Sequence, residues 1–433
     1  MSEKRTRLPR SLSVVRGNSG FTLVELMVAL TGGLFISLAV FALARDSGRF
    51  YQRETRLANA TISGLIGFQR LRSDIARAGF LSTPNIVRDT VGVCGTPDAA
   101  WPIGLRNLAS IQLSTPGVKY AALTANGRTP PVITLAGSYT SSDVFGAKVA
   151  PNGNNVDFVL SVKEGASALR RLGNTGMPTT AMMQTVFPAL RVLRVVHNGK
   201  QYYGQIVNAV GGVLPTVTVN AQPPIQFHDG NPLCGLQPIT SGVAVPTINV
   251  VNFIQYAVQP LQTAGAIAGY QNAFSNSADA PGEAGRTELT RVELDLNGQM
   301  IPGTEEIVAE YAVDLNLQLI AVTSPPGAEP TLGIVSPGDA QYGVFTGPVF
   351  GTPNTPELIR SVRVRLGVRS READRTLGVP NPSGQGLFRF NVGNPNPGVV
   401  LSPTPIPGSL EIFARVRNFQ ADVALHNQLG VLW

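Results

Sequence analysis

The sequence predicts an α+β protein: a long N-terminal helix packed on an antiparallel β-sheet head with large loop or β insertions. Three observations lead there. Residues 21–44 form an apolar run with a single charge, and residues 45–79 continue at helical spacing with apolar and basic positions on opposite sides. The remainder alternates short β-type runs with Gly, Pro, Asn and Thr. The 433 residues are 43% hydrophobic and only 14% charged, too apolar for general disorder. The formal net charge of +7 invites a nucleic-acid or membrane-surface reading, so the location of the charge decides.

The first element is a basic leader, residues 1–20, in which Lys4, Arg5, Arg7, Arg10 and Arg16 stand against Glu3 for a net of +4. The run Phe21 to Ala44 follows, FTLVELMVALTGGLFISLAVFALA, charged only at Glu25. As a helix it would be about 36 Å long, enough to cross a hydrocarbon core of about 30 Å. Basic residues before the run place the N-terminus in the cytoplasm and the rest in the periplasm or outside the cell. A secretory signal peptide would use Ala42-Leu43-Ala44 as its cleavage site, but the apolar run exceeds the usual 7–15 residues. A plain membrane anchor leaves Glu25 unexplained, because a carboxylate at mid-membrane costs about 2.5–3.5 kcal/mol.

Gly20-Phe21-Thr22-Leu23-Val24-Glu25-Leu26 after a short basic leader resembles the class III signal of type IV prepilins. The resemblance implies that a prepilin peptidase cuts after Gly20, that Phe21 becomes the N-methylated first residue, and that Glu25 serves assembly by neutralising the N-terminal amine of a neighbouring subunit. The physics is compatible, since a buried carboxylate requires a cation.

Beyond the membrane span, Phe50, Leu57, Ile62, Leu65, Phe68, Leu71 and Ile75 fall on one arc of about 180° at 100° per residue. Arg45, Arg49, Arg56, Arg70 and Arg77 fall opposite. The apolar arc is expected to be covered by the head. The basic stripe reads as a solvated face with interfacial phosphate contact, or as a contact for acidic faces of neighbouring filament subunits. Gly32-Gly33 is either a point where the helix melts or a small-residue packing site. Gly79 is the natural residue just past the helix end. The ending Asp74-Ile75-Ala76-Arg77-Ala78-Gly79-Phe80 resembles that of PilW-type minor pilins.

Residues 80–245 read as an inserted or enlarged β-rich region, with strands at Val156–Val162 and Leu190–Val196. Residues 246–433 read as a pilin-like sheet core. Its strands are Ile248–Val258, Leu289–Leu296 ending in the turn Asn297-Gly298, the alternating Leu315, Leu317 and Leu319, Ser361–Arg369, and Phe413–Asn418. In Ser361–Arg369 the apolar face is Val362, Val364, Leu366 and Val368, with Arg363, Arg365 and Arg369 on the other. This strand and the closing segment are again similar to PilW-type proteins. Pro/Gly-rich stretches at 324–356 and 376–408 read as loops.

No nucleotide-binding, nucleophile-elbow or metalloprotease motif occurs, and His197, His228 and His426 are isolated in sequence, so no enzyme and no cofactor is expected. Cys94 and Cys234, the two cysteines, are expected to form a disulfide in an oxidising compartment, with two separately buried thiols as the other reading. Glu293-x-Asp295-x-Asn297-Gly298 resembles the start of a calcium loop but has Thr304 at the twelfth position, so no metal is expected.

The resemblance implies a minor pilin that helps prime a type IV pilus and sits in a minor-pilin complex at its tip, supporting adhesion or motility. The alternative is a pseudopilin of a type II secretion system. Expected partners are the prepilin peptidase, other minor pilins, the major pilin and a tip adhesin. The expected location is the inner membrane with a periplasmic head, then the cell-surface pilus. No nucleic acid is expected: the leader and the helix stripe hold the excess charge, and residues 78–433 carry 22 basic and 22 acidic groups.

Overall fold

The computed structural model describes residues 22–89, 92–94, 97–114, 120–161, 177–220, 245–260, 286–325, 327–346, 350–351, 354–371, 389–392 and 413–429. The protein is α+β, with an apolar N-terminal helix and antiparallel sheets. Residues 1–55 and 56–433 form separate compact units.

Helix α1 runs Leu23–Ala76 over 54 residues, with Gly32-Gly33 inside it and no interruption. Its Leu23–Gly48 stretch has a mean hydropathy of 2.4 and is long and apolar enough to cross a membrane. Every described side chain there is exposed.

In the second unit, the face of α1 against the sheets is Gly64, Gly67, Phe68, Leu71, Asp74 and Ile75, continued by Ala78 just past the helix end. Phe68, Leu71 and Ile75 are buried as the periodicity predicts. Ile62 and Leu65 are instead exposed at 59% and 47%, as is Phe50 in the first unit, while Leu57 lies outside the described side chains. The covered face is rotated because glycine, which adds nothing to an apolar pattern, forms its centre. A Cβ at Gly64 would lie 2.5 Å from the Phe419 ring. One at Gly67 would overlap the Val308 carbonyl oxygen and lie 2.7 Å from the Ala309 methyl. Just past the helix end, Gly79 is in a left-handed conformation (φ 76°), and its amide donates to Ala136 O of the sheet at 2.8 Å.

Among the described residues, fifteen strands follow in chain order: β1 (Ile111–Ser114), β2 (Val132–Gly137), β3 (Phe145–Asn152), β4 (Asn155–Leu160), β5 (Val192–His197), β6 (Lys200–Val210), β7 (Thr216–Asn220), β8 (Thr247–Gln259), β9 (Glu288–Leu294), β10 (Glu306–Ala309), β11 (Ala312–Val322), β12 (Leu332–Val335), β13 (Ile359–Arg369), β14 (Arg389–Asn391) and β15 (Phe413–Ala424). The stretches read as loops at 324–356 and 376–408 contain β12 and β14, each too short for a pattern to register.

Strand β8 organises the larger sheet. Its first half pairs with β3 on one side and β5 on the other, and β3–β4–β7–β6–β5 completes a closed antiparallel ring. The inside of this barrel is filled by Phe145, Phe158, Phe187, Leu193, Val195, Ile206, Val217, Ile248 and Val250. The second half of β8 pairs with β2 and β9, flanked by β1 and β10. Residues 80–245 therefore supply both β1–β2, in the sheet beside α1, and β3–β7 of the barrel.

A second sheet runs β12-β11-β13-β15-β14. Leu315, Leu317 and Leu319 of β11 lie opposite Leu366, Val364 and Val362 of β13, and all join the core that includes Phe68, Leu71 and Ile75 of α1. On β13, Arg363 makes a bidentate pair with Asp422 (2.7 and 3.0 Å) and Arg365 reaches Asp314 at 3.4 Å. Arg369, on the face opposite the apolar residues, is fully buried, with its guanidinium over the Tyr311 and Phe390 rings at 5.0 and 5.9 Å. Aromatic cover at that end converts a polar-face position into a cation–π site.

Replacing Gly67 with Ala should destabilise the head by about 1–3 kcal/mol through forced separation of α1 from β10. Urea unfolding checks this, and Gly32→Ala, which meets no atom within 4 Å, should not lower stability.

Candidate functional site

Two places on α1 carry polar chemistry: its first turn and its buried last turns. Gly20 and Phe21 lie outside the described residues. Glu25 is described, and its carboxylate accepts hydrogen bonds from the Thr22 amide (3.0 Å) and the Thr22 hydroxyl (2.9 Å). The Glu25 amide donates back to the Thr22 Oγ1 at 3.2 Å. This is a capping box, T-x-x-E, which satisfies otherwise orphaned amides and places a carboxylate at the positive end of the helix dipole. The T-x-x-E spacing is legible in the sequence, inside an apolar run in which Glu25 is the lone charge.

The second place is Asp74, which the terminal motif includes but whose environment no local pattern reveals. Its carboxylate is buried and accepts from the Tyr256 hydroxyl of β8 at 2.7 Å and from Arg291 Nε of β9 at 3.0 Å. Arg70, one helical turn earlier, stands 3.7 Å from the same oxygen. Half-exposed Glu306 approaches Arg291 at 3.7 Å and Arg70 at 3.9 Å, extending the network to β10. The Asp74 carbonyl accepts from the Tyr139 hydroxyl at 2.9 Å. Arg77 covers the Tyr139 ring at 5.4 Å and donates to Ser138 O at 2.7 Å. Burial, then the Asp74 charge, push the Tyr256 phenol well above its ordinary pKa, so it remains a donor.

The remaining sequence candidates lie apart from this network. Cys94 is buried and is not a free thiol; Cys234 lies outside the described residues. Glu293 and Asp295 are committed to neighbours. Glu293 accepts from Arg191 (2.9 Å) and Asn252 (3.0 Å), while Asp295 Oδ1 accepts from the Asn297 and Gln299 amides at 2.8 Å each. These contacts build a hairpin turn with Gly298 at φ 73°. His197 is buried at the end of β5, and His426 starts a short turn after β15.

Another buried carboxyl, Glu288 at the start of β9, accepts from the Tyr311 amide at 2.7 Å and pairs with Arg286. Tyr311 has a positive φ of 56°, a conformation held by this bond and by the Arg286 guanidinium over its ring at 4.4 Å. Burial pushes the Glu288 carboxyl up to about 7 in spite of Arg286.

Replacing Asp74 with Ala should cost about 3–5 kcal/mol, because it leaves the Arg291 charge buried without its partner. Chemical unfolding of the full chain in detergent measures that loss. Glu288 binds its proton more tightly in the folded than in the unfolded state. Its contribution therefore makes stability fall as pH rises from the ordinary carboxyl range to about 7, then level off. Buried His197, whose pKa is lowered by burial, works in the opposite direction. Comparing the pH dependence of thermal unfolding in wild type and Glu288→Gln isolates the carboxyl: the variant should lose the downward component.

Comparison with protein-family models, with curated proteins and with solved structures finds no match to this chain.

Proposed function

We propose that this protein is a minor pilin of the PilW type, which helps prime assembly of a type IV pilus and resides in a minor-pilin complex at the pilus tip. The observation that carries this reading is one continuous helix, Leu23–Ala76, that starts in an exposed apolar stretch and ends built into a β-rich head. It begins directly after Gly20-Phe21-Thr22, with Glu25 in its first turn. In a plain membrane anchor the Glu25 carboxylate serves only as a helix cap, whereas ordered subunit assembly also gives its charge a partner.

On this reading the precursor sits in the inner membrane with its head in the periplasm. A prepilin peptidase removes residues 1–20, and Phe21 is methylated. The apolar helix then leaves lipid for a bundle with other minor pilins, onto which major pilin subunits are added. The head, much of it a barrel, offers surface to a tip adhesin in support of adhesion or motility. Glu25 would exchange its local hydrogen bonds with Thr22 for the N-terminal amine of a neighbour, an exchange of neutral donors for a cation that strengthens in an apolar bundle.

Replacing Gly20 with a bulky residue should leave an unprocessed precursor, read by the mass of the mature N-terminus; normal trimming would overturn the peptidase assignment. Glu25→Ala should be processed yet fail to initiate filaments. Glu25→Gln separates two roles, since it preserves a capping acceptor and removes the charge. It should be as defective as Glu25→Ala, and wild-type piliation of the Gln variant would leave helix capping as the sole role of Glu25.

A further inference from the structure

Strand β8 runs thirteen residues, TINVVNFIQYAVQ, without a glycine or a proline. Between Ile248 and Phe253 its partners change on both sides. On one side β2 stops opposite Asn252 and β3 resumes opposite Ile248; on the other β9 stops opposite Phe253 and β5 resumes opposite Val251. This is the seam between the barrel and the sheet beside α1. A seam of that kind is where two lobes would ordinarily hinge, because neighbouring backbone leaves the ladder there.

Polar side chains close the gap. Asn252 is 1% exposed and its Oδ1 accepts from the Tyr139 amide (3.2 Å), the Thr140 amide (3.3 Å) and the Thr140 hydroxyl (3.1 Å). Those donors belong to the chain crossing from β2 to β3. Asn252 Nδ2 donates to Glu293 Oε2 of β9 at 3.0 Å, and the same oxygen accepts from Arg191 Nε, just before β5, at 2.9 Å. A single chain of contacts thus runs from the β2–β3 crossing, through the middle of β8, to β9 and back to β5. Beneath it Val192, Tyr203, Val251, Phe253 and Val292 share one apolar core drawn from barrel and sheet strands alike.

We propose that the Thr140–Asn252–Glu293–Arg191 clasp makes the barrel and the α1-bearing sheet a single rigid body, so that a load or contact on the barrel reaches α1 through β8 without a compliant joint. The inference rests on the geometry of the seam and stands whether or not the protein enters a pilus.

Native-state hydrogen exchange on the full chain in detergent micelles tests it, read by mass spectrometry at increasing sub-denaturing urea. In the wild type, peptides from β4–β7 and from β9, β11 and β13 should share one opening free energy and one urea dependence. A barrel that opens at lower free energy, with a smaller urea dependence, would overturn the proposal. In Glu293→Ala the barrel peptides should exchange 10- to 100-fold faster relative to the sheet peptides. Equal acceleration of both sets would reduce the clasp to a general stabiliser and refute its coupling role. Thr140→Ala, which removes one of the donors to Asn252 and leaves both backbone bonds, should uncouple in the same direction by a smaller factor; this variant decides the matter if Glu293→Ala does not fold.

Discussion

The structure depends on a carboxylate that α1 carries into the protein interior. Asp74 receives a phenol from β8 and a guanidinium from β9, so the last turns of the helix are fixed in both rotation and depth. Apolar packing alone does not fix them. Phe68, Leu71 and Ile75 would be satisfied by several sliding positions along a greasy sheet, because hydrophobic contact is not directional. A buried ion pair adds little net stability over an apolar replacement, yet any register that separates its members leaves a charge in a low-dielectric interior. Gly64 and Gly67 then let the helix come close enough for these bonds to form. Asp74 sets the position, and the glycines permit it.

The sequence made α1 legible because its signals are local: an apolar run of membrane length and apolar residues at helical spacing. Strand β13 was legible for the same reason, its Val362, Val364, Leu366 and Val368 alternating with arginines. What escaped was set at long range. Tyr256 and Arg291 follow Asp74 by 182 and 217 positions, so nothing near Asp74 in the chain distinguishes a buried aspartate from a solvated one. The rotated helix face escaped because glycine is silent on a hydropathy scale. Alternation sets Arg369 on the face opposite Val368, and Tyr311 and Phe390, both distant in sequence, cover it there. Strand β8 announced itself as one strand, with no sign that its partners change at Asn252.

The polar groups inside the head share a design. Asp74, Glu288 and Glu293 each receive donors from two or more chain segments, and Asn252 receives from one segment and donates to another, so each acts as a junction between elements. Buried polar atoms are costly when unmatched, and matching them here requires several strands to be in register at once. That requirement favours one arrangement over near-native alternatives, even where the bonds contribute modestly to stability.

The closure of β3–β7 onto β8 has a consequence for how the head could have grown. An open insertion would add two unpaired strand edges, each a template on which another chain could add a strand. A ring that begins and ends on the same strand adds surface and a second apolar interior while pairing most of its own edges among the described residues. Enlargement by a closed ring extends the molecule without making it sticky.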